Sequence, residues 1–205
     1  MRIYLVTDER LLFGKDLYRT VEAAVKGGVS MVQLREKESS TREFVERAIR
    51  LKEVLTPYGV PLIINDRVDV ALAANADGVH VGQSDMPYEM VKRLLPEGKI
   101  IGLSVESPEQ VLEANNYDLD YVAASPVFST TTKTNTIVEW GLDGLRWIRS
   151  VSRHPLVAIG GIHSNNVASI CKAGADSVAV ISAIVSADDP ERAARELLEK
   201  SGEPH

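Results

Sequence analysis

Met31-Val32-Gln33-Leu34-Arg35-Glu36-Lys37 passes from an apolar, strand-like stretch directly into a cluster of charge. The same transition recurs along the chain. Leu62-Ile63-Ile64-Asn65 leads into Asp66, Gly78-Val79-His80-Val81 is followed shortly by Asp85, and Leu156-Val157-Ala158-Ile159 ends on Gly160-Gly161. Thr130-Thr131-Thr132-Lys133 comes after a further apolar run, Tyr121-Val122-Ala123-Ala124. Each polar cluster thus falls where a strand should end. In a β/α barrel those ends share one face, where the strand-to-helix loops build the active site, so the scattered clusters become one site.

Working outward from these runs, the spacing predicts strands over 3–7, 31–35, 62–65, 78–81, 100–104, 121–124, 156–159 and 177–181. Segments with apolar residues three or four apart alternate with them, over 17–26, 41–56, 68–74, 87–94, 108–114, 142–151, 165–172 and 190–200. Start signals support the helices: Ser39-Ser40-Thr41, Pro87, Pro108 and Asp188-Asp189-Pro190. Gly27-Gly28 and Gly174 stand where a left-handed residue ends a helix. Eight βα units in about 200 residues fit a closed (β/α)8 TIM barrel more economically than an open doubly wound sheet. The expectation is one α/β catalytic domain over residues 1–205, with 201–205 a loose tail.

The chain has 205 residues, 44% hydrophobic and 25% charged, enough to bury a large core. A net charge of −6 without a Lys/Arg run argues against nucleic acid as a partner, so anionic ligands must meet local positive charge. Cys171 is the single cysteine, which excludes an intrachain disulfide and a Cys-rich metal site. The apolar stretch near Met1 is too short for a signal peptide or a membrane span, so a cytoplasmic protein without membrane partners is expected.

The clusters have a common chemistry. Backbone N–H groups at Gly160-Gly161 and Ile181-Ser182, after the seventh and eighth strands, can converge where barrels often hold a phosphate, although a Gly-Gly pair also suits a plain tight turn. The threonines with Lys133 open a long polar loop running to Trp140, and their hydroxyls and the lysine suit phosphate esters. On an extended chain Arg35 and Lys37 point the same way and Glu36 points away. Asp66 and Asp85, from neighbouring strands, suit one Mg²⁺ that also meets substrate phosphates, while each could instead cap a helix or a turn. His80, His154, His163 and His205 lack zinc spacing; His80 reads as a satisfied core residue, and His163 lies where it could approach a ligand. Neither a Gly-x-Ser-x-Gly elbow nor a P-loop occurs.

In order, the runs 33–37, Asn65-Asp66-Arg67, 77–85, Gly102-Leu103-Ser104, Ser125-Pro126-Val127-Phe128, 130–133, Ile159-Gly160-Gly161-Ile162 and Ile181-Ser182-Ala183-Ile184 resemble the thiamine-phosphate synthase family nearly end to end. The resemblance implies joining of a hydroxymethylpyrimidine diphosphate to a thiazole phosphate with release of pyrophosphate. It implies that Gln33, Leu34, Arg35, Glu36, Lys37, Asn65, Ser104 and Lys133 contact the pyrimidine diphosphate, with Lys133, Arg35 and Ser104 catalytic. Thr130, Thr131, Thr132, Gly161, Ile181 and Ser182 would bind the thiazole phosphate, and Asp66 and Asp85 would hold Mg²⁺. It also implies a dissociative reaction, in which pyrophosphate leaves to give a pyrimidine-stabilised cation that the thiazole nitrogen attacks, with the 130–140 loop as lid. Glu106 departs from the family pattern, standing where the related thiazole tautomerases carry a catalytic histidine. Two other readings are a tautomerase using Glu106 without metal and a barrel that binds thiamine precursors without turning them over. The partners expected are small-molecule substrates; the sequence leaves open whether the chain acts alone or as a homo-oligomer.

Overall fold

The computed structural model describes residues 2–129 and 139–202. Eight parallel strands close into a barrel in chain order: β1 (Arg2–Val6), β2 (Val29–Leu34), β3 (Leu62–Asn65), β4 (Gly78–Val81), β5 (Ile100–Val105), β6 (Tyr121–Ala124), β7 (Leu156–Ile159) and β8 (Ser177–Val180). Closure is made by β1, which pairs with β2 on one side and with β8 on the other, placing Leu5 opposite Val180. The covering helices are α1 (Leu17–Lys26), α2 (Thr41–Leu55), α3 (Val68–Ala73), α4 (Tyr88–Leu94), α5 (Pro108–Ala114), α6 (Gly141–Val151), α7 (Val167–Lys172), α8 (Ser182–Val185) and α9 (Pro190–Lys200). None of the described helices is long and apolar enough to cross a membrane.

Strand alternation divides the core in two. Ile3 and Leu5 point outward and pack with Val21, Phe44, Leu51 and Leu197 beneath the helices, whereas Tyr4, Val6, Ile63, Tyr121, Val157 and Ala179 fill the barrel itself. The strands are buried on both faces, which is why they read as nearly continuous apolar runs.

Local signals act at the helix starts. Ser40 and Glu43 form a reciprocal capping box on α2, and the Asp16 and Asp189 carboxylates accept from the N–H groups of Arg19 and Arg192. Several boundaries differ from the sequence expectation by one or two residues, and three features stand out. Pro87 is the residue before α4, not inside it. The start expected for α7 at Asn165 moves to Val167, because the Asn166 side chain accepts from the His163 N–H and donates to the Gly161 carbonyl, holding a turn there. The chain after β8 also forms the short helix α8, with the Val185 N–H donating to the Ile181 carbonyl at 2.9 Å. Its four residues, Ser-Ala-Ile-Val, are too few to display a helical period, and the sequence spacing predicts no helix there. At the far end Ser201 is buried and its hydroxyl donates to the Leu198 carbonyl, while 203–205 lie outside the described residues.

Cys171 is half-buried, and its Sγ donates to the Val167 carbonyl. Burial pushes its thiol up, away from the reactive thiolate.

Candidate active site

A cavity of about 560 Å³ opens where the strands end. From the first run, Gln33, Arg35 and Lys37 line it. The intervening residues turn away: Leu34 is fully buried in the layer under the helices, and the Glu36 carboxylate accepts from Arg47 and Ser39 at 2.7 and 2.6 Å. Period-two alternation thus continues past the end of β2 and delivers two cations to one space. Arg35 is held at its base, since its N–H donates to Thr7 Oγ1 and its Nη1 donates to Asp8 Oδ2 at 2.8 Å. Asp8 is buried, which works to raise its carboxyl, but the Arg10 hydrogen bond and the charges of Arg35 and Arg10 outweigh burial and hold it below the usual carboxylate range.

Asp66 and Asp85 also line the cavity. Asp66 has φ 63, a left-handed conformation uncommon for a side-chain-bearing residue, and its N–H donates to the His80 carbonyl at 2.8 Å. Lys37 Nζ donates to Asp66 Oδ2 at 2.6 Å, and Asp85 Oδ2 accepts from the Gly82 N–H at 2.7 Å. Asp85 does not cap α4, which has no side-chain cap. Burial, and then the neighbouring Asp66 carboxylate, pushes the Asp85 carboxyl up despite the Gly82 hydrogen bond. An Asp66 carboxylate close enough to disfavour the Asp85 charge makes the two a fitting pair of oxygen ligands for a hard cation that completes its shell with water and phosphate. No group of three or more His, Cys, Asp or Glu suited to a metal occurs among the described residues.

A pH dependence follows from this pair. A carboxyl raised in the folded state contributes stability at low pH that is lost as pH rises through the raised value. At neutral pH without metal, the Asp85 charge therefore destabilises the fold, and Asp85→Asn raises the melting temperature. The gap from the unsubstituted protein is expected to widen between pH 4 and pH 7 in EDTA. An unchanged gap in paired thermal melts would refute the coupling.

The opposite wall carries Gly160, Gly161, Ile181 and Ser182. Gly160 and Gly161 have φ 104 and 64, and a Cβ on Gly161 would stand 2.8 Å from both Phe128 Cβ and the Ser129 carbonyl. The pair is therefore required by the approach of the β6 loop, and the same absence of side chains leaves main chain facing the cavity. Ile181-Ser182 leads into α8, in the position where barrels commonly set a short extra helix beside a phosphate.

The floor is a chain of buried polar side chains from five strands. Gln33 Nε2 donates to Tyr4 Oη at 2.6 Å, Tyr4 Oη lies 2.9 Å from Tyr121 Oη, Tyr121 Oη lies 3.0 Å from His80 Nδ1, and His80 Nε2 lies 2.9 Å from Ser104 Oγ. Gln83 Nε2 donates to the Ser104 carbonyl at 2.6 Å. His80 is satisfied and buried, as its apolar strand suggests, yet it also lines the cavity. Sequence reasoning passed over Tyr4, His80 and Tyr121 as site residues. Their signal was a polar tip on an inward-facing position of an apolar strand.

The cavity thus gathers Gln33, Arg35, Lys37, Asn65, Asp66, Asp85, Ser104, Gly161, Ile181 and Ser182, together with Glu106. Leu34 and Glu36 are not among its lining side chains. Thr130, Thr131, Thr132 and Lys133, and most of the expected lid, lie outside the described residues. Trp140, at the end of that loop, is fastened by Nε1 donating to the Val105 carbonyl and by its N–H donating to the Pro126 carbonyl. His163 faces its own turn, where Nδ1 accepts from the Asn165 N–H.

A closed (β/α)8 barrel with cations, paired carboxylates and bare main chain at the C-terminal end of its strands has the architecture of a barrel enzyme for small molecules. The profile of the thiamine monophosphate synthase family matches residues 3–184. The thiamine-phosphate synthase of Albidiferax ferrireducens is 52% identical over 197 residues, covering 96% of this chain and 90% of that protein. That of Leptospira biflexa is 51% identical, covering 93% of both. A solved thiamine phosphate pyrophosphorylase from Pyrococcus furiosus superposes with a TM-score of 0.88 at 41% identity, covering 97% of this chain and 94% of that one. The chain belongs to the thiamine monophosphate synthase family, transferases of thiamine synthesis.

Proposed function

We propose that this chain joins hydroxymethylpyrimidine diphosphate to thiazole phosphate, giving thiamine phosphate and pyrophosphate with the help of Mg²⁺. The observation that carries this reading is the position of the Asp66–Asp85 pair beside Arg35 and Lys37 in one cavity, opposite the Gly160-Gly161 turn. That spacing suits a metal-bound diphosphate at one wall and a second phosphate at the other. Arg35, anchored by Asp8, and Lys37 bind the diphosphate oxygens. Lys133 joins them from the 130–140 loop, and Thr130, Thr131 and Thr132 meet the thiazole phosphate with Gly161, Ile181 and Ser182. Gln33 and Asn65 orient the pyrimidine, and Ser104 hydrogen-bonds toward the diphosphate.

A bound Mg²⁺ supplies neutralisation of the charge that grows on the departing diphosphate. Fixed cations aimed at that charge do the same without reorganising, and the cavity holds both reactants close enough that the thiazole nitrogen meets the pyrimidine cation before water does. The chain needs no nucleophile of its own. The lone, half-buried Cys171 agrees with a reducing compartment, and we place the reaction in the cytoplasm.

The test is a coupling assay with purified protein and both substrates, following thiamine phosphate by fluorescence after oxidation. Product is expected only with Mg²⁺ present, and Lys133→Ala lowers turnover on the order of 10²–10³-fold. Absence of product under every metal condition overturns the synthase reading, and tautomerisation assayed with Glu106→Gln is then the next measurement.

A further inference from the structure

The five-residue chain on the cavity floor has a polarity set by which atom of the Gln33 amide faces Tyr4, and in the structure that atom is Nε2. Each phenol carries one hydrogen. Tyr4 Oη accepts from Gln33 Nε2, and among the described residues the neighbour placed to take its own hydrogen is Tyr121 Oη at 2.9 Å, to which we assign it. The Tyr121 hydrogen then goes to His80 Nδ1. With Nδ1 an acceptor, the neutral ring carries its hydrogen on Nε2 and donates it to Ser104 Oγ. The Ser104 hydroxyl, already accepting, keeps its hydrogen for a ligand in the cavity that it lines.

Two further features show that the arrangement is built. The His80 and Tyr121 rings stack at 10° with centroids 5.6 Å apart, which fixes the imidazole plane, and the Tyr4 ring meets Tyr121 edge-on at 88°. Tyr121 lies across β5 only because residue 102 is glycine, since a Cβ there would fall 2.1 Å from Tyr121 Cζ. Burial raises both phenols far above their ordinary range, so they stay protonated and able to donate.

We propose that Tyr121 is a positioning residue that, through the tautomer of His80, makes Ser104 a hydrogen-bond donor to the departing diphosphate. The role rests on the synthase reading given above. A donor aimed at an oxygen that gains charge strengthens as the bond breaks, whereas an acceptor there opposes it, so the tautomer selects between assistance and repulsion. Tyr4 and Gln33 set the direction from the other end of the chain. If the Gln33 amide presents its carbonyl to Tyr4 instead, every donor reverses and Ser104 becomes an acceptor.

Two readouts decide it. In the ¹⁵N-histidine-labelled protein, with His80 assigned by His80→Gln, Nδ1 is expected unprotonated and Nε2 protonated, and Tyr121→Phe shifts the Nδ1 resonance. In the coupling assay Tyr121→Phe lowers kcat about tenfold, the worth of one charge-assisted hydrogen bond, with KM for both substrates within about twofold. In a Ser104→Ala background the same substitution has no further effect, because its action passes through Ser104. Tyr4→Phe, which leaves the partner of His80 in place, lowers kcat by a smaller factor and is also silent in that background. A hydrogen on Nδ1, or losses that multiply in the double variants as a purely structural role predicts, overturns the proposal. If the unsubstituted protein makes no product, the synthase reading fails by itself, and the ring-nitrogen assignment still decides the polarity of the floor.

Discussion

Asp66→Asn is expected to lower turnover in the coupling assay on the order of 10²–10³-fold while leaving the protein folded. The substitution is chosen for the backbone. Asp66 stands at φ 63, a region asparagine tolerates far better than alanine, so the carboxylate charge is removed without adding left-handed strain. The N–H that donates to the His80 carbonyl is kept. The ion pair lost with Lys37 is solvent-accessible, with side-chain exposures of 47% and 22%, and such pairs are worth about 0–1 kcal/mol. The loss therefore falls on chemistry. Thermal melts give an independent reading, because Mg²⁺ at a hundred times its Kd stabilises a single site by about 2.7 kcal/mol, or roughly 5–10 °C for a domain of this size. Asp66→Asn should abolish most of that rise. Turnover within about threefold of the unsubstituted protein, with the Mg²⁺ shift intact, would remove the aspartate pair from the metal site.

Gly102→Ala is expected to damage stability and turnover together. The new Cβ would fall 2.1 Å from Tyr121 Cζ and 2.3 Å from its hydroxyl, inside a closed barrel where the ring has little room to retreat. Overpacking of this kind costs about 1–3 kcal/mol, so the melting temperature should drop by roughly 2–12 °C. Displacing Tyr121 also parts the floor network that ends at Ser104, and kcat should fall about tenfold or more. Gly98→Ala is the control. Gly98 has φ 81 but nothing within 4 Å of an added Cβ, in the connection that enters β5 from the end opposite the cavity. It should lower the melting temperature through backbone strain and leave turnover unchanged. Equal turnover losses in the two variants would show that the effect of Gly102→Ala is general destabilisation.

The two substitutions mark which cavity residues the sequence made visible and which it did not. Asp66 was visible because a carboxylate after an apolar strand run is unusual in a core and expected at the active end of a barrel. Gly102 was visible only as part of a short motif, since its purpose is a ring that arrives from β6. Leu34 and Glu36 entered the candidate site with the whole 33–37 run that the family resemblance carried over. Alternation carries their side chains to the other face, where Leu34 packs under the helices and Glu36 meets Arg47. The helix α8 escaped because four residues cannot display a helical period.

Sequence by itself determined the barrel and its active end. Strand and helix periods, the caps at Ser40 and Asp189, and polar clusters after apolar runs are local properties, and a parallel β/α repeat leaves few ways to bury the apolar face of every strand. What only the tertiary structure decided is which side chains meet across the barrel. Arg35 is secured by Asp8 just after β1, Lys37 by Asp66 just after β3, and His80 lies between Tyr121 and Ser104 from two further strands. Such meetings depend on the register of eight strands and the curvature of the closed sheet, where a shift of one residue sends every side chain to the opposite face.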